Sequence, residues 1–262
     1  MTSASSQPLK KPLWIGTSWK MNKTIAEADA FCDVVRASPL ASSRAPQLFV
    51  VPPFTVLDRV ASALRGTSIM VGAQNVHWED QGAWTGEISP VQVADCGASL
   101  VEIGHSERRT YFNETDETVG LKAAAAQRHG LIALICVGDS HSEHAAGTSD
   151  EAVSRQTRAA LAKIDAGGAA LPVIAYEPVW SIGEKGVPAE PDFVNAQHLV
   201  IKEAATAALG RDLPVLYGGS VSLANAVALA SQPNVNGLFI GRAAWQADGF
   251  LAIAAEVGAA CV

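Results

Sequence analysis

Short apolar segments alternate with amphipathic helical patterns along the chain, and there are eight such pairs. Most of the apolar segments are continuous rather than alternating, which is typical of parallel strands buried on both faces. Eight strand–helix units of roughly 30 residues each predict a single (β/α)8 barrel, an α/β fold. The predicted strands are Leu13–Trp19, Leu48–Pro52, Ile69–Gln74, Leu100–Gly104, Leu131–Gly138, Val173–Glu177, Val215–Gly218 and Gly237–Gly241.

A doubly wound open sheet is the alternative fold. It normally carries a G-x-G-x-x-G turn after the first strand, whereas this chain continues as GTSWKMN over residues 16–22. No linker or shift in composition divides the sequence, so we predict one domain over residues 1–262, with a polar N-terminal extension over about residues 1–12. Thr24 with Glu27, and Thr148 with Glu151, predict capping boxes at two helix starts.

Composition excludes several functional classes. The net charge is −7 and no run of Lys and Arg is longer than Lys10-Lys11, which argues against a nucleic-acid partner. No apolar run approaches the length of a membrane span, and the N-terminal segment lacks a signal-peptide pattern. The four cysteines form no C-x-x-C pair, so we expect free thiols in a reducing, cytoplasmic environment. These cysteines are Cys32, Cys96, Cys136 and Cys261.

A carboxylate follows the sixth predicted strand. In a barrel of this kind the functional residues lie at the carboxyl ends of the strands, and Glu177 lies there between Tyr176 and Trp180. Loss of solvation beside these rings would suit a general base. A buried ion-pair partner of a Lys or Arg is the alternative interpretation.

Two further strand ends carry groups that could assist proton transfer. His105 precedes a predicted helix capped by Ser106, and a helix N-terminus favours a neutral imidazole that can donate a hydrogen bond to a carbonyl. Lys20 follows the first strand and could stabilise a developing oxyanion. Taken alone, a strand-end histidine is more often structural, and an exposed lysine is usually only solvated.

The last two strand ends predict an anion site. The seventh strand ends in Gly218-Gly219-Ser220 and the eighth in Gly241, each followed by a predicted helix. Backbone N–H groups at such turns bind anions, and this is the recurrent phosphate position of the fold. The six histidines show no metal-ligand spacing, so no metal is expected.

The sequence resembles the triose-phosphate isomerase family over essentially the whole chain after the first dozen residues, in a series of short motifs that follow one another along the chain. The resemblance implies a proton-transfer isomerase that uses neither metal nor organic cofactor and acts on a small phosphorylated sugar. Glu177 would be the base, His105 the neutral electrophile and Lys20 the balancing cation. The matching motifs are WKMN (19–22), GAQN (72–75), TGEISP (85–90), GHSERR (104–109), ICVG (135–138), YEPVW (176–180), YGGSV (217–221) and GLFIG (237–241).

The same resemblance implies a phosphate site, a lid and a subunit interface. Backbone amides of Gly183, Ser220 and Gly241 would hold the phosphate, beneath a lid over residues 178–188. The family forms dimers or dimers of dimers, so a homodimer is expected. In it, the loop over residues 75–86 would place Thr85 near the partner's Lys20.

Departures from the family pattern concern the specificity of the site. Ser18 stands where the family has Asn, Phe239 replaces a smaller aliphatic residue, and Arg242 replaces the second glycine after the last strand. Arg242 leaves its backbone N–H available for phosphate, and its side chain could reach a surface carboxylate. The lid reads GEKGVP rather than the usual GTGKTA.

The smaller Ser18 would make room for one additional hydroxymethyl group, and its hydroxyl could bind it. The sequence therefore resembles the tetrulose-phosphate branch of the family, which implies conversion of L-erythrulose 1-phosphate to D-erythrulose 4-phosphate. Two alternatives stay open: the glycolytic triose-phosphate reaction, and a catalytically silent sugar-phosphate-binding protein on the same fold.

Overall fold

A computed structural model describes residues 13–183 and 186–261, and the polar extension predicted for residues 1–12 lies outside them. Each of the eight predicted strands is present: the second is shifted by one residue toward the N-terminus, and the other seven are one or two residues shorter than predicted. The strands are β1 (Trp14–Ser18), β2 (Gln47–Val51), β3 (Met70–Ala73), β4 (Leu100–Ile103), β5 (Ile132–Val137), β6 (Val173–Tyr176), β7 (Val215–Tyr217) and β8 (Gly237–Ile240).

The strands form a closed, parallel barrel in chain order. β8 returns to β1, with Trp14 opposite Gly237 and Thr17 opposite Ile240. Closure confirms the predicted (β/α)8 barrel, and the open-sheet alternative is wrong. Because all strands run in one direction, their carboxyl ends meet at one mouth.

Apolar side chains fill the inside of the barrel. Phe49 and Phe239 stack there with ring centroids 5.6 Å apart. Gly16 leaves room for this pair, since a Cβ at that position would lie 2.0 Å from the Phe49 ring. The interior is therefore a packed floor beneath the mouth rather than a channel.

Helices surround the barrel and join the strands. Thr24 caps the first of them through the predicted capping box with Glu27. The second predicted box is wrong: Thr148 lies at a helix start, but its hydroxyl donates to the Glu143 carbonyl instead of accepting a bond from the helix. The helices are α1 (Ile25–Ala37), α2 (Leu57–Leu64), α3 (Pro90–Asp95), α4 (Ser106–Tyr111), α5 (Asp116–Arg128), α6 (His141–Ala146), α7 (Ser149–Leu161), α8 (Pro191–Leu209), α9 (Ala226–Ala230) and α10 (Ala247–Cys261).

Short 3-10 turns complete the connections, at Pro39–Ser42, Phe54–Val56, Val179–Ser181 and Arg242–Ala244. The four cysteines are free thiols. Within residues 13–183 and 186–261, no helix is long and apolar enough to cross a membrane.

Candidate active site

One cavity of about 520 Å³ opens at the mouth of the barrel. The carboxyl ends of β1, β4 and β6 deliver Lys20, His105 and Glu177 to its wall, as the sequence predicts. The turns after β7 and β8 close the other side. Of the predicted site residues, Ser18, Lys20, His105, Glu177, Gly183, Ser220, Gly241 and Arg242 all line this cavity, and Thr85 lies elsewhere.

Glu177 is held at the edge of β6 with an available oxygen. Its backbone N–H donates to the Val137 carbonyl at 2.7 Å, and the residue is only 3% exposed. Its Oε2 atom is buried and has no hydrogen-bond partner within the described part of the chain. Gly218 makes the room for this side chain, because a Cβ there would lie 2.8 Å from the Cγ of Glu177. A buried carboxylate oxygen without a partner is poised to accept a proton.

His105 itself caps α4, so the prediction of Ser106 as the cap is wrong. The imidazole Nδ1 accepts the backbone N–H of Glu107 at 3.1 Å, because the extended backbone of His105 turns its ring over the helix start. Nδ1 therefore uses its lone pair here, which places the hydrogen of a neutral ring on Nε2. Nε2 lies 3.6 Å from Oε2 of Glu177. The neutral imidazole can donate a hydrogen bond to a substrate oxygen between them.

Lys20 occupies a left-handed backbone conformation, with φ at 52°. Its carbonyl accepts a hydrogen bond from the Gln74 side chain at 2.9 Å, and its ammonium donates to Glu107 at 2.8 Å. Burial lowers the pKa of the Lys20 ammonium, but the hydrogen bond to Glu107 and the surrounding carboxylates more than offset this and raise it above its usual value. Lys20 therefore supplies a permanent positive charge to the cavity.

Glu102, on β4, is a further residue of the site and is not among those predicted from the sequence. It is 2% exposed, and its Oε2 accepts a hydrogen bond from the Ser18 hydroxyl at 2.8 Å. Its Oε1 lies 4.0 Å from Nε2 of His105. Burial raises the pKa of the Glu102 carboxyl to about 7. A glutamate inside the otherwise apolar strand β4 is the signal that could have revealed it.

The carboxylates of Glu102 and Glu177 and the imidazole of His105 bring three potential metal-ligand atoms within 4.8 Å of one another. A metal would need a lone pair on Nε2 of His105, but in the tautomer described above that atom carries the hydrogen. The trio therefore does not form a metal centre in this arrangement. The expectation that the protein uses no metal and no cofactor stays a prediction.

The turn after β7 is tied to the segment after β6. The Ser220 hydroxyl donates to the Ser181 carbonyl at 2.7 Å, and the Ser220 backbone N–H donates to the Ser181 hydroxyl at 3.2 Å. Gly241 faces open space, since a Cβ there would meet no atom within 4 Å. Ser220 and Gly241 both line the cavity, and backbone N–H groups in turns of this kind can bind an anion.

Arg242 connects the end of β8 to the predicted lid. Its guanidinium donates to the Gly183 carbonyl at 2.9 Å. Gly183 has a φ of 87°, a conformation that favours glycine. Residues 184 and 185 of the predicted lid lie outside the described residues. Arg242 therefore places a positive charge at the wall of the cavity.

A buried carboxylate fixes the chain where it leaves β6. Asp139 is fully buried and accepts hydrogen bonds from the Tyr176 hydroxyl at 2.8 Å, the Trp180 indole at 2.9 Å and the Ser149 hydroxyl at 2.8 Å. His144 stacks on Trp180 with centroids 4.0 Å apart. These contacts fix Tyr176 and Trp180, which lie before and after Glu177 in the chain.

The loop over residues 75–86 extends from the barrel next to Lys20. His77 stacks on Trp78 and Trp84, with centroid distances of 4.2 Å and 4.6 Å. Trp84 is still 49% exposed, Met21 is 96% exposed, and Thr85 lies on the loop surface. Exposed apolar side chains of this size are typical of a protein interface.

Known proteins resemble this chain over most of its length. The sequence profile of the family described as triosephosphate isomerase matches residues 13–257. L-erythrulose-1-phosphate isomerase of Rhizobium meliloti (strain 1021) is 52% identical, with 96% of this chain and 99% of that protein covered. The protein of the same name from Brucella abortus (strain 2308) is 51% identical, with coverages of 93% and 95%. The crystal structure of triosephosphate isomerase from Bartonella henselae matches with a TM-score of 0.82 and 35% identity, covering 94% of this chain and 98% of that one.

Proposed function

This chain belongs to the triosephosphate isomerase family, and we propose that it converts L-erythrulose 1-phosphate to D-erythrulose 4-phosphate. The observation that carries the substrate assignment is the 52% identity, over 96% of the chain, to a relative named for the first of these compounds. The triosephosphate isomerase from Bartonella henselae is less similar, at 35% identity. The presence of Lys20, His105 and Glu177 around one cavity argues against a silent binding protein.

The reaction moves one proton between adjacent carbons. Glu177 takes the proton from C3 of L-erythrulose 1-phosphate, while the Nε2–H of His105 donates to the C2 carbonyl oxygen. The resulting enediolate is stabilised by His105 and Lys20. Return of the proton from Glu177 to C2, with transfer of the hydroxyl proton between the two oxygens, leaves the carbonyl at C3. Hydrogen and electrons balance within the molecule, so the step needs no oxidant or reductant.

Ser18 supports the choice of the four-carbon substrate. It lines the cavity beside Lys20 and is smaller than the Asn that the family normally has at this position. The tetrulose carries one hydroxymethyl group more than the triose. We propose that this group occupies the space next to Ser18.

The phosphate would bind at the turns after β7 and β8. Gly183, Ser220, Gly241 and Arg242 all line the cavity. The backbone N–H groups of the first three would donate to the phosphate, and the Arg242 guanidinium would add a positive charge. The Ser220 N–H donates weakly to Ser181 at 3.2 Å, so a phosphate oxygen would replace that hydroxyl as its acceptor. The lid over residues 178–188 would then exclude water from the enediolate, which otherwise loses phosphate by elimination.

We also propose that the protein acts as a cytoplasmic homodimer. The exposed Trp84 and Met21 near the loop over residues 75–86 support a second copy as the partner. Thr85 would then lie near the partner's Lys20. The four free thiols support a reducing compartment.

Proton nuclear magnetic resonance in D2O tests the reaction directly. L-erythrulose 1-phosphate is incubated with the enzyme, and we expect D-erythrulose 4-phosphate carrying solvent deuterium on the carbon that was the carbonyl. Glu256→Gln, on the outer helix α10, is the control and should behave like the wild type. Tight binding of the substrate without any conversion would instead support the silent binding protein.

A further inference from the structure

The floor of the mouth contains a buried pair of side chains, Ser18 and Glu102, and the proposed mechanism gives no role to Glu102. The Ser18 hydroxyl and the Glu102 carboxyl lie 2.8 Å apart, and both residues are at most 4% exposed. Ser18 reaches the cavity, whereas Glu102 is buried between Ser18 and His105. Ser18 therefore has two possible partners: Glu102 below it and the substrate above it.

Two carboxyl groups approach the same nitrogen. Oε1 of Glu102 lies 4.0 Å from Nε2 of His105, and Oε2 of Glu177 lies 3.6 Å from it. Two negative charges around one neutral N–H repel each other, and the enediolate adds a third. Glu177 must be ionised to act as the base. The proton that relieves this repulsion therefore belongs on Glu102.

We propose that Glu102 is a positioning residue: it stays protonated while substrate is bound and directs the Ser18 hydroxyl toward the substrate. An ionised Glu102 accepts a hydrogen bond from the Ser18 hydroxyl, so Ser18 can offer only an oxygen lone pair to a substrate in the cavity. A protonated Glu102 donates to Ser18 Oγ instead, and the Ser18 proton becomes free to bind a substrate oxygen. This role rests on the proposed function, since that oxygen belongs to the tetrulose.

The surroundings of Glu102 favour the neutral acid. Burial raises the pKa of its carboxyl, and the charge of Glu177 raises it further, whereas His105, Ser18 and Lys20 oppose this rise. Lys20 also donates to Glu107, and this carboxylate offsets part of the positive charge that Lys20 presents to Glu102. A bound phosphate and the enediolate bring further negative charge. The groups that face Glu102 are Ser18 and Lys20 from the end of β1, His105 from the end of β4, Cys136 from β5 and Glu177 from the end of β6.

The kinetic test compares two variants of Glu102. Glu102→Leu removes the donor to Ser18, and kcat/KM for L-erythrulose 1-phosphate should fall about 10- to 100-fold. Ser18→Ala should cause a similar loss, and the double variant should be no worse than either single one. Glu102→Gln keeps a neutral donor, so it should recover most of the activity. In the wild type, ionisation of Glu102 should lower kcat/KM above about pH 7. In Glu102→Gln this decline should be absent.

The result that would overturn the proposal is a Glu102→Gln variant as impaired as Glu102→Leu, or one that keeps the wild-type decline at alkaline pH. An infrared difference spectrum between the wild type and Glu102→Gln at pH 6 tests protonation without turnover. We expect a protonated-carboxyl C=O band in the wild type alone, and absence of that band also contradicts the proposal. Because this readout needs no substrate, it stands apart from a failure of the proposed function, which would appear as an inactive wild type.

Discussion

Nε2 of His105 and Oε2 of Glu177 face each other across 3.6 Å, too far for a hydrogen bond between them. The hydrogen on Nε2 and the lone pair on Oε2 consequently both stay available to a substrate. The hydrogen lies on Nε2 because Nδ1 accepts a hydrogen bond from the start of α4. The carboxylate of Glu177 is positioned by the end of β6, where its backbone N–H donates to the Val137 carbonyl. A donor and a base on adjacent sides of one small space are what a proton shift between neighbouring carbons requires.

Glu177→Gln should abolish the base while preserving the shape of the site. Removal of a general base typically costs about 100- to 10,000-fold, so we expect kcat to fall by that much while KM changes little. Steady-state kinetics on the tetrulose phosphate measure this, with Glu256→Gln as a surface control. Turnover within tenfold of the wild type would show that another group takes the proton.

Gly218→Ala should displace Glu177 without unfolding the protein. The new Cβ would lie 2.8 Å from the Cγ of Glu177, so the carboxylate must shift. A displacement of about 1 Å can reduce kcat by about 100-fold. Gly167→Ala is the matched control, because its Cβ would make only a 3.4 Å contact with Asp165. Equal activity of the two variants would contradict the role of Gly218.

Much of this site follows from sequence because its parts lie at strand ends. A barrel places the carboxyl end of every strand at one mouth, so the positions of Lys20, His105 and Glu177 could be predicted once eight strands were recognised. What sequence could not supply was the direction of each side chain. Ser106 looked like the helix cap, but the His105 ring reaches the free N–H of Glu107. Such competition between neighbouring acceptors depends on backbone angles that residue types do not encode.

The role of Glu102 required the folded structure for a similar reason. Ser18 and Glu102 lie far apart in the chain, and only the closure of the barrel brings their side chains to 2.8 Å. The sequence predicts that the Ser18 hydroxyl binds the substrate. The structure adds a buried partner that controls what the Ser18 hydroxyl can do.

Glu102 should also make stability depend on pH. Its pKa is about 7 in the folded protein and near 4.5 in the unfolded chain. The folded state therefore binds the proton more tightly, and stability is lost as the pH rises from about 4.5 through 7, by about 3 kcal/mol. Glu102→Gln lacks this titration, so its free energy of unfolding should rise relative to the wild type by that amount between pH 4.5 and 8. Urea unfolding at both pH values measures the difference, and a constant difference would contradict the raised pKa.

The homodimer is tested through the exposed loop near Lys20. Light scattering should give the wild type twice the 27.3 kDa of one chain. Trp84→Glu places a charge on this surface and should shift the mass toward one chain. Leu199→Glu changes an exposed apolar residue on α8 instead and should leave the mass unaltered. A monomeric wild type, or dissociation by both substitutions alike, would contradict the assignment of the interface.

The ratio of kcat/KM for L-erythrulose 1-phosphate to that for dihydroxyacetone phosphate measures whether the enzyme prefers the four-carbon or the three-carbon substrate. We predict a ratio above one for the wild type. Ser18→Asn refills the space beside the substrate, so it should lower the ratio by about tenfold or more. A wild type that prefers the triose phosphate would contradict the substrate assignment, and a ratio unchanged by Ser18→Asn would show that Ser18 does not select the substrate.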